Sequence, residues 1–207
     1  MGIAEDVAGV LRAHPAVRGV ELVGSRARGT AALSSDWDFA VTVDDFGQVA
    51  ADLPGLVAAF DPLAAQWDPL GECASYLLVF AGPVKVDLLF RDVPRRPAGP
   101  WRIGPDTLRA VDVHFWDWIL WLVSKRQRGM GDRVRGELLT MSGQLLRPLG
   151  VQAVPTSLEE AVTRYVRARD RLETRYGQRV PRRLEAEVLP LVHAREGDHY
   201  RPSRLGS

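Results

Sequence analysis

Two short stretches decide how this chain is read: Glu21-Leu22-Val23-Gly24-Ser25-Arg26-Ala27-Arg28-Gly29-Thr30, and close behind it Ser34-Ser35-Asp36-Trp37-Asp38-Phe39. Val20 to Val23 reads as a strand, Gly24 ends it, and Ser25 starts a helix. At such a junction glycine lets the backbone come close to a phosphate, while helical N–H groups and the Ser25 hydroxyl point at it. That is an anion cradle. Asp36 and Asp38 then bracket Trp37 at the start of another strand, and the period of two puts both carboxylates on one face. Two adjacent carboxylates repel each other unless a cation lies between them. Hard oxygen ligands of this kind suit Mg²⁺ held jointly by protein and nucleotide phosphates.

Working outward, Tyr76 to Phe80 and Val84 to Phe90 are strand candidates separated by Ala81-Gly82-Pro83, which makes them an antiparallel hairpin. Asp87 lies among apolar residues on the second of these strands, and a charge there needs a partner. A metal shared with Asp36 and Asp38 supplies one. Three acids suit a two-metal site, one ion activating the attacking oxygen and the other neutralising a departing pyrophosphate, so the chemistry implied is in-line displacement at an α-phosphate. With Phe39 to Val43 as a further strand and helices expected at 3–13 and 47–60, the order of elements predicts a small mixed sheet.

Composition sets the outer bounds. The 207 residues are 46% hydrophobic and 26% charged, inside the range of globular proteins, which excludes collagen-like and wholly disordered readings. The apolar run Trp118 to Val123 is far shorter than the roughly 18 residues a spanning helix needs, so no membrane is expected as a partner. The acidic start is unlike a signal peptide, and the single Cys73, in an apolar run, reads as an inert buried thiol; both point to a cytoplasmic protein. Residues 1–104 carry 9 Lys and Arg against 13 Asp and Glu, whereas residues 105–207 carry 18 against 13, so a net −4 half precedes a net +5 half.

Past a Pro-, Gly- and Arg-rich segment from Pro94 to Pro105 the pattern turns helical. Val111, Phe115, Trp118 and Leu122 share one face of a helix ended by Gly129 to Gly131. Val134, Leu138, Met141 and Leu145 mark a second, N-capped by Asp132 and closed near Pro148. Ser157-Leu158-Glu159-Glu160 is a capping box opening a third, with Gly177 past its end. A fourth is expected near 182–196, containing Pro190, and the tail from Gly197 reads as loose. The expected fold class is therefore α+β, with a catalytic domain at 1–98 followed by an α-helical substrate-binding domain at 99–200.

Gly-Ser, a spacer of about ten residues, Asp-apolar-Asp and a later strand Asp together resemble the nucleotidyltransferase superfamily of DNA polymerase beta, the antibiotic adenylyltransferases and the minimal nucleotidyltransferases of toxin-antitoxin modules. Gly24, Ser25, Asp36, Asp38 and Asp87 fill the motif, over roughly residues 15–92. The resemblance implies a polymerase beta-like domain that moves an NMP, with ATP the expected donor, onto a hydroxyl, using Mg²⁺ held by Asp36, Asp38 and Asp87. A helical second half is similar to the aminoglycoside and lincosamide enzymes, which implies a small, antibiotic-like acceptor. A protein or tRNA acceptor is the alternative. Related enzymes in some cases build the site across a dimer, for which the Trp-rich stretch 115–121 offers a surface, so monomer and homodimer both stay open.

Other residues carry a bland reading beside a functional one. Arg26 and Arg28 follow the cradle and could neutralise triphosphate charge, with solvated surface the alternative for Arg28. Lys85 shares the strand face of Asp87 and could contact phosphate or pair with that acid. Glu137 is a candidate general base, with Asp112 and Asp117 behind it, against a helix-surface carboxylate. Trp116, Trp118 and Trp121 surround their helix, so one could stack on a base. Arg164, Arg167, Arg171 and Arg175 make a helical stripe that reads first as a solvated face and second as a polyanion site. Arg109 and His114 match a loose Arg-x4-His pattern, and His193 and His199 have no visible partner set. Gly24 as a turn glycine, Ser25 as an N-cap, Asp36 as a strand-start cap and Asp87 as the salt-bridge partner of Lys85 are the structural alternatives.

Overall fold

A computed structural model describes residues 2–31 and 35–194; Ser34, His199 and the tail from Gly197 lie outside the described residues. The chain falls into two compact units, Met1–Gly99 and Pro100–Ser207.

The first unit runs α1 (Ile3–Arg12), β1 (Val17–Val23), α2 (Gly24–Ala27), β2 (Trp37–Val43), α3 (Phe46–Ala58), β3 (Ala64–Trp67), β4 (Cys73–Phe80) and β5 (Val84–Pro94). Helix α1 forms because Ala4, Val7, Ala8 and Leu11 make one buried stripe, with Glu5 and Asp6 in its first turn and Arg12 in its last. Helix α3 begins where the Asp45 carboxylate accepts from the Gln48 N–H at 3.0 Å, and it carries Pro54 within its length. It ends two residues short of the expected 60. The strands order as β1-β2-β5-β4-β3, with β2 and β5 parallel and the other neighbours antiparallel. Phe39, Val41, Leu78, Val86, Leu88 and Phe90 pack against the buried stripes of α1 and α3. Each fully buried side chain among them, such as Phe39 or Leu88, contributes about 1.5–3 kcal/mol. Strand β3 was not expected: Ala64-Ala65-Gln66-Trp67 is too short and too mixed to show a period. Its order comes from pairing with β4, where Trp67 meets Tyr76 edge-on. Cys73 heads β4 half-buried rather than buried.

The second unit holds α4 (Leu108–Gln127), α5 (Gly131–Met141) continuing into a π-helical turn (Ser142–Leu146), α6 (Leu158–Tyr176) and α7 (Arg183–His193). Helix α4 is buried almost all round. Trp116 is fully buried while Trp118 and Trp121 are half-buried, so the predicted face is broader than the stripe Val111, Phe115, Trp118 and Leu122. Asp132 lies in the first turn of α5 instead of capping it, because the left-handed Gly129, φ +70°, turns the chain earlier. At α6 the Ser157 side chain accepts from the Glu160 N–H at 3.1 Å as expected. The return bond differs: Glu160 accepts from the Thr156 N–H at 2.7 Å and the Thr156 hydroxyl at 2.9 Å. Gly177, φ +64°, ends the helix in the left-handed region.

The buried cation of this unit is Arg169, outside the predicted arginine stripe. It is 1% exposed and is held by Glu185, by Asp170 at 3.0 Å and by Asp112 at 3.4 Å. Tyr165 donates to the same Asp112 oxygen at 2.6 Å and stacks on Phe115. Burial pushes the Asp112 carboxyl up, with Tyr165 and Arg169 opposing it. Asp112 thus serves the packing of α4 against α6. Within the stripe, Arg164 pairs with Glu160 along the helix, as a solvated face does. Arg109 is exposed and His114 is buried between Trp101 and Trp118, so the Arg-x4-His pair is not brought together. No helix among the described residues is long and apolar enough to cross a membrane.

Candidate active site

Strand register builds the centre of the site. Val23 is the Cα partner of Asp38 across β1–β2, and Asp38 is the partner of Asp87 across β2–β5. A cross-strand row shares one face. The neighbours Phe39, Val86 and Leu88 alternate to the other face and enter the core under α1 and α3. Asp38 and Asp87 therefore stand side by side on the face those two helices leave uncovered. Asp36 lies one residue before β2 and is 7% exposed.

Gly24 is fixed by its neighbour. Its φ is +71°, and a Cβ built on it would stand 2.1 Å from Asp38 Oδ2 and 3.0 Å from its Cγ. No side chain fits there, so the carboxylate of Asp38 lies directly against the backbone of the turn. The helix expected to start at Ser25 is a single turn that starts at Gly24, with Val23 as the capping residue. Ser25 is buried inside it, and its carbonyl accepts from the Thr30 N–H at 3.0 Å and the Thr30 hydroxyl at 3.3 Å. Gly29, φ +68°, lets the chain turn back at that point. The result is a compact loop whose first N–H groups lack intrahelical partners, adjacent to two carboxylates.

Arg26 does something the sequence did not announce. Its Nε donates to the carbonyls of Ser35 and Asp36 at 3.0 and 3.1 Å, and Nη2 donates to Ser35 at 2.6 Å. Its guanidinium carbon lies 4.2 Å from the ring centroid of Trp37. Burial lowers its pKa, and the charges of Asp36 and Asp38 work in the opposite direction. The one available signal was the placement of an Arg directly after Gly-Ser and of a Trp between the two aspartates.

Lys85 is 6% exposed, and its ammonium donates to Asp87 Oδ1 at 2.8 Å. The salt bridge considered for this pair is present. Among the described residues no three His, Cys, Asp or Glu side chains are gathered as a metal-binding group. The donor chemistry nevertheless fits a hard divalent cation: carboxylates from Asp38 and Asp87 in one row, Asp36 at the mouth of β2, and a glycine that leaves Asp38 room. Glu137 belongs to the second unit, where its carboxylate accepts from Trp118 Nε1 at 3.3 Å and pairs with Arg133 at 3.0 Å. Asp117 is buried on α4.

Residues 6–92 match the family model of the nucleotidyltransferase domain, a span that runs from α1 into β5 and takes in Gly24, Ser25, Asp36, Asp38 and Asp87. Among curated proteins no sequence matches the chain. Among solved structures it is similar to an aminoglycoside 6-adenyltransferase from Bacillus subtilis, with 13% identity and a TM-score of 0.31 over 91% of this chain and 95% of that one. The mixed sheet, the Gly-Ser turn and the paired aspartates lie inside the matched span, so residues 6–92 make up a domain that matches the nucleotidyltransferase domain family.

Proposed function

We propose that this enzyme moves an NMP from an NTP, with ATP as the donor, to a hydroxyl of a small antibiotic-like molecule. The observation that carries the reading is the contact of Gly24 with Asp38, which stands in register with Asp87. In this reading Asp36, Asp38 and Asp87 hold Mg²⁺, which when bound neutralises charge on the phosphates and on departing pyrophosphate. The Gly24–Ser25 turn binds the β and γ phosphates through backbone N–H groups and the Ser25 hydroxyl. Asp87 takes the acceptor's proton as the acceptor oxygen bonds to the α-phosphorus and the bond to pyrophosphate breaks; Glu137 is the alternative base. Lys85 passes from Asp87 to phosphate once nucleotide is bound.

A second reading keeps the chemistry and changes the acceptor to a protein or tRNA. The net +5 of residues 105–207 favours it, since a cationic surface attracts polyanions and repels a polycationic aminoglycoside. Each α-labelled NTP, incubated with Mg²⁺, the protein and a lysate supplemented with an antibiotic panel, decides between them, with the Asp36→Ala, Asp38→Ala double variant as control. Label on a small molecule, lost in the double variant, is the expected result. Label on RNA or protein moves the second reading to first, and transfer that survives in the double variant overturns the assignment of the aspartates.

A further inference from the structure

The two halves of the motif are separated by ten residues in the chain, and something must set the distance between the Gly24–Ser25 turn and the Asp36 carboxylate. Asp36 precedes β2, so the ladder that fixes Asp38 does not reach it: the first β2 residue in the β2–β5 register is Trp37, and the β1–β2 register ends at Asp38. Its backbone position has to be held another way.

We propose that Arg26 is a positioning residue that locks Asp36 against the Gly24–Ser25 turn, and that it does not act as a phosphate ligand. Three hydrogen bonds from one guanidinium reach two successive carbonyls, those of Ser35 and Asp36. The same plane lies over the ring of Trp37, the next residue in the chain. The guanidinium thus touches three consecutive residues, Ser35 to Trp37, from a base one residue past Ser25. Nε and Nη2 donate to main-chain oxygens, and the flat face lies over the indole. A planar fork is required for this: a lysine ammonium carries the same charge but cannot grip two carbonyls while stacking on an indole. The charge itself also has a function, because a cation held beside Asp36 and Asp38 limits their mutual repulsion before nucleotide and metal arrive.

The inference rests on the reading of Asp36 and Asp38 as metal carboxylates, so its test carries readouts on both. Arg26→Lys and Arg26→Gln are compared with the wild type by amide hydrogen exchange across residues 35–43, by Mn²⁺ binding, and by NTP binding without divalent cation. Expected are exchange at least tenfold faster at Asp36 and Trp37 with Phe39–Val43 unchanged, Mn²⁺ binding at least tenfold weaker in both variants, and metal-free NTP binding within twofold of wild type. Where transfer is measurable, kcat falls while the KM for NTP holds. Unchanged exchange at Asp36 and Trp37 overturns the proposal. Recovery of wild-type behaviour in Arg26→Lys overturns it too, since charge alone would then suffice. A wild type that binds no Mn²⁺ counts against the metal reading instead, and the exchange result still judges the brace.

Discussion

Asp38 and Asp87 are direct neighbours across the parallel pair β2–β5, and the ammonium of Lys85 holds the second of them at 2.8 Å. Like charges side by side on one sheet face destabilise it unless a cation intervenes, and here the protein supplies one from two residues upstream on the same strand. On the proposed reading Lys85 and a divalent cation compete for Asp87. In Lys85→Met that competition is gone, so Mg²⁺ raises the melting temperature more in the variant than in the wild type. Thermal unfolding with and without Mg²⁺ measures the difference; equal rises mean that Lys85 and the cation do not share Asp87.

Gly24→Ala is expected to damage the first unit. The added methyl would stand 2.1 Å from Asp38 Oδ2, on a backbone at φ +71°. The left-handed conformation alone costs a non-glycine residue about 1–3 kcal/mol. Asp38 must also move. Urea unfolding should register that loss, and transfer activity should fall at least tenfold even where the variant is fully folded.

Arg169→Met tests the second unit. The substitution keeps much of the side-chain volume, strands Asp112, itself 3% exposed, and leaves Glu185 only Arg182 at 3.6 Å. Breaking a buried pair from one side costs about 3–5 kcal/mol, because the remaining charge is stranded. Tyr165→Phe removes only the 2.6 Å hydrogen bond to Asp112 and keeps the ring on Phe115, so it costs less, about 1–2 kcal/mol. Denaturant midpoints order the two variants, and the reverse order would mean that Arg169 is not the main support of Asp112.

Glu160 gives the unit a dependence on acid. Hydrogen bonds from Thr156 and Arg164 draw its carboxyl down from 4.5 to about 2. A depressed folded-state pKa contributes stability above the unfolded value, and that contribution drains away as pH falls from 4.5 through about 2. The stability difference between wild type and Glu160→Gln should therefore narrow over that window. Unfolding midpoints at stepped pH follow it, and a constant gap would mean that the ionised form gains nothing from its partners.

Most of the site was legible because its parts are short-range. Strand period, a glycine at a strand end and a carboxylate in an apolar run are local signals that single out Gly24, Asp38 and Asp87, while the long-range pairing of Asp38 with Asp87 is suggested only by a shared metal and the family resemblance. The capping box at Ser157 was legible for the same reason. What escaped were relationships carried by side chains across a gap. The grip of Arg26 on Ser35 and Asp36 reaches nine and ten residues along the chain, and no periodicity encodes it. Arg169 looks in sequence like any arginine on an arginine-rich helix; only the approach of α4 and α7 makes it the buried one. Strand β3 lacks a pattern of its own and takes its order from β4.

The parallel register of β2 and β5 also dictates when Asp38 and Asp87 come together. Asp38 and Asp87 are about fifty residues apart in the chain, and closing so long a separation is a slow, entropically costly part of folding. Helix α3 and strands β3 and β4 all lie between them in sequence. During synthesis the Gly-Ser turn and the first two aspartates emerge well before their third partner. A fragment cut between β2 and β5 keeps the Gly24–Ser25 turn and lacks Asp87, so on the proposed reading partial translation or proteolytic clipping in that span yields an inert product rather than a half-active one.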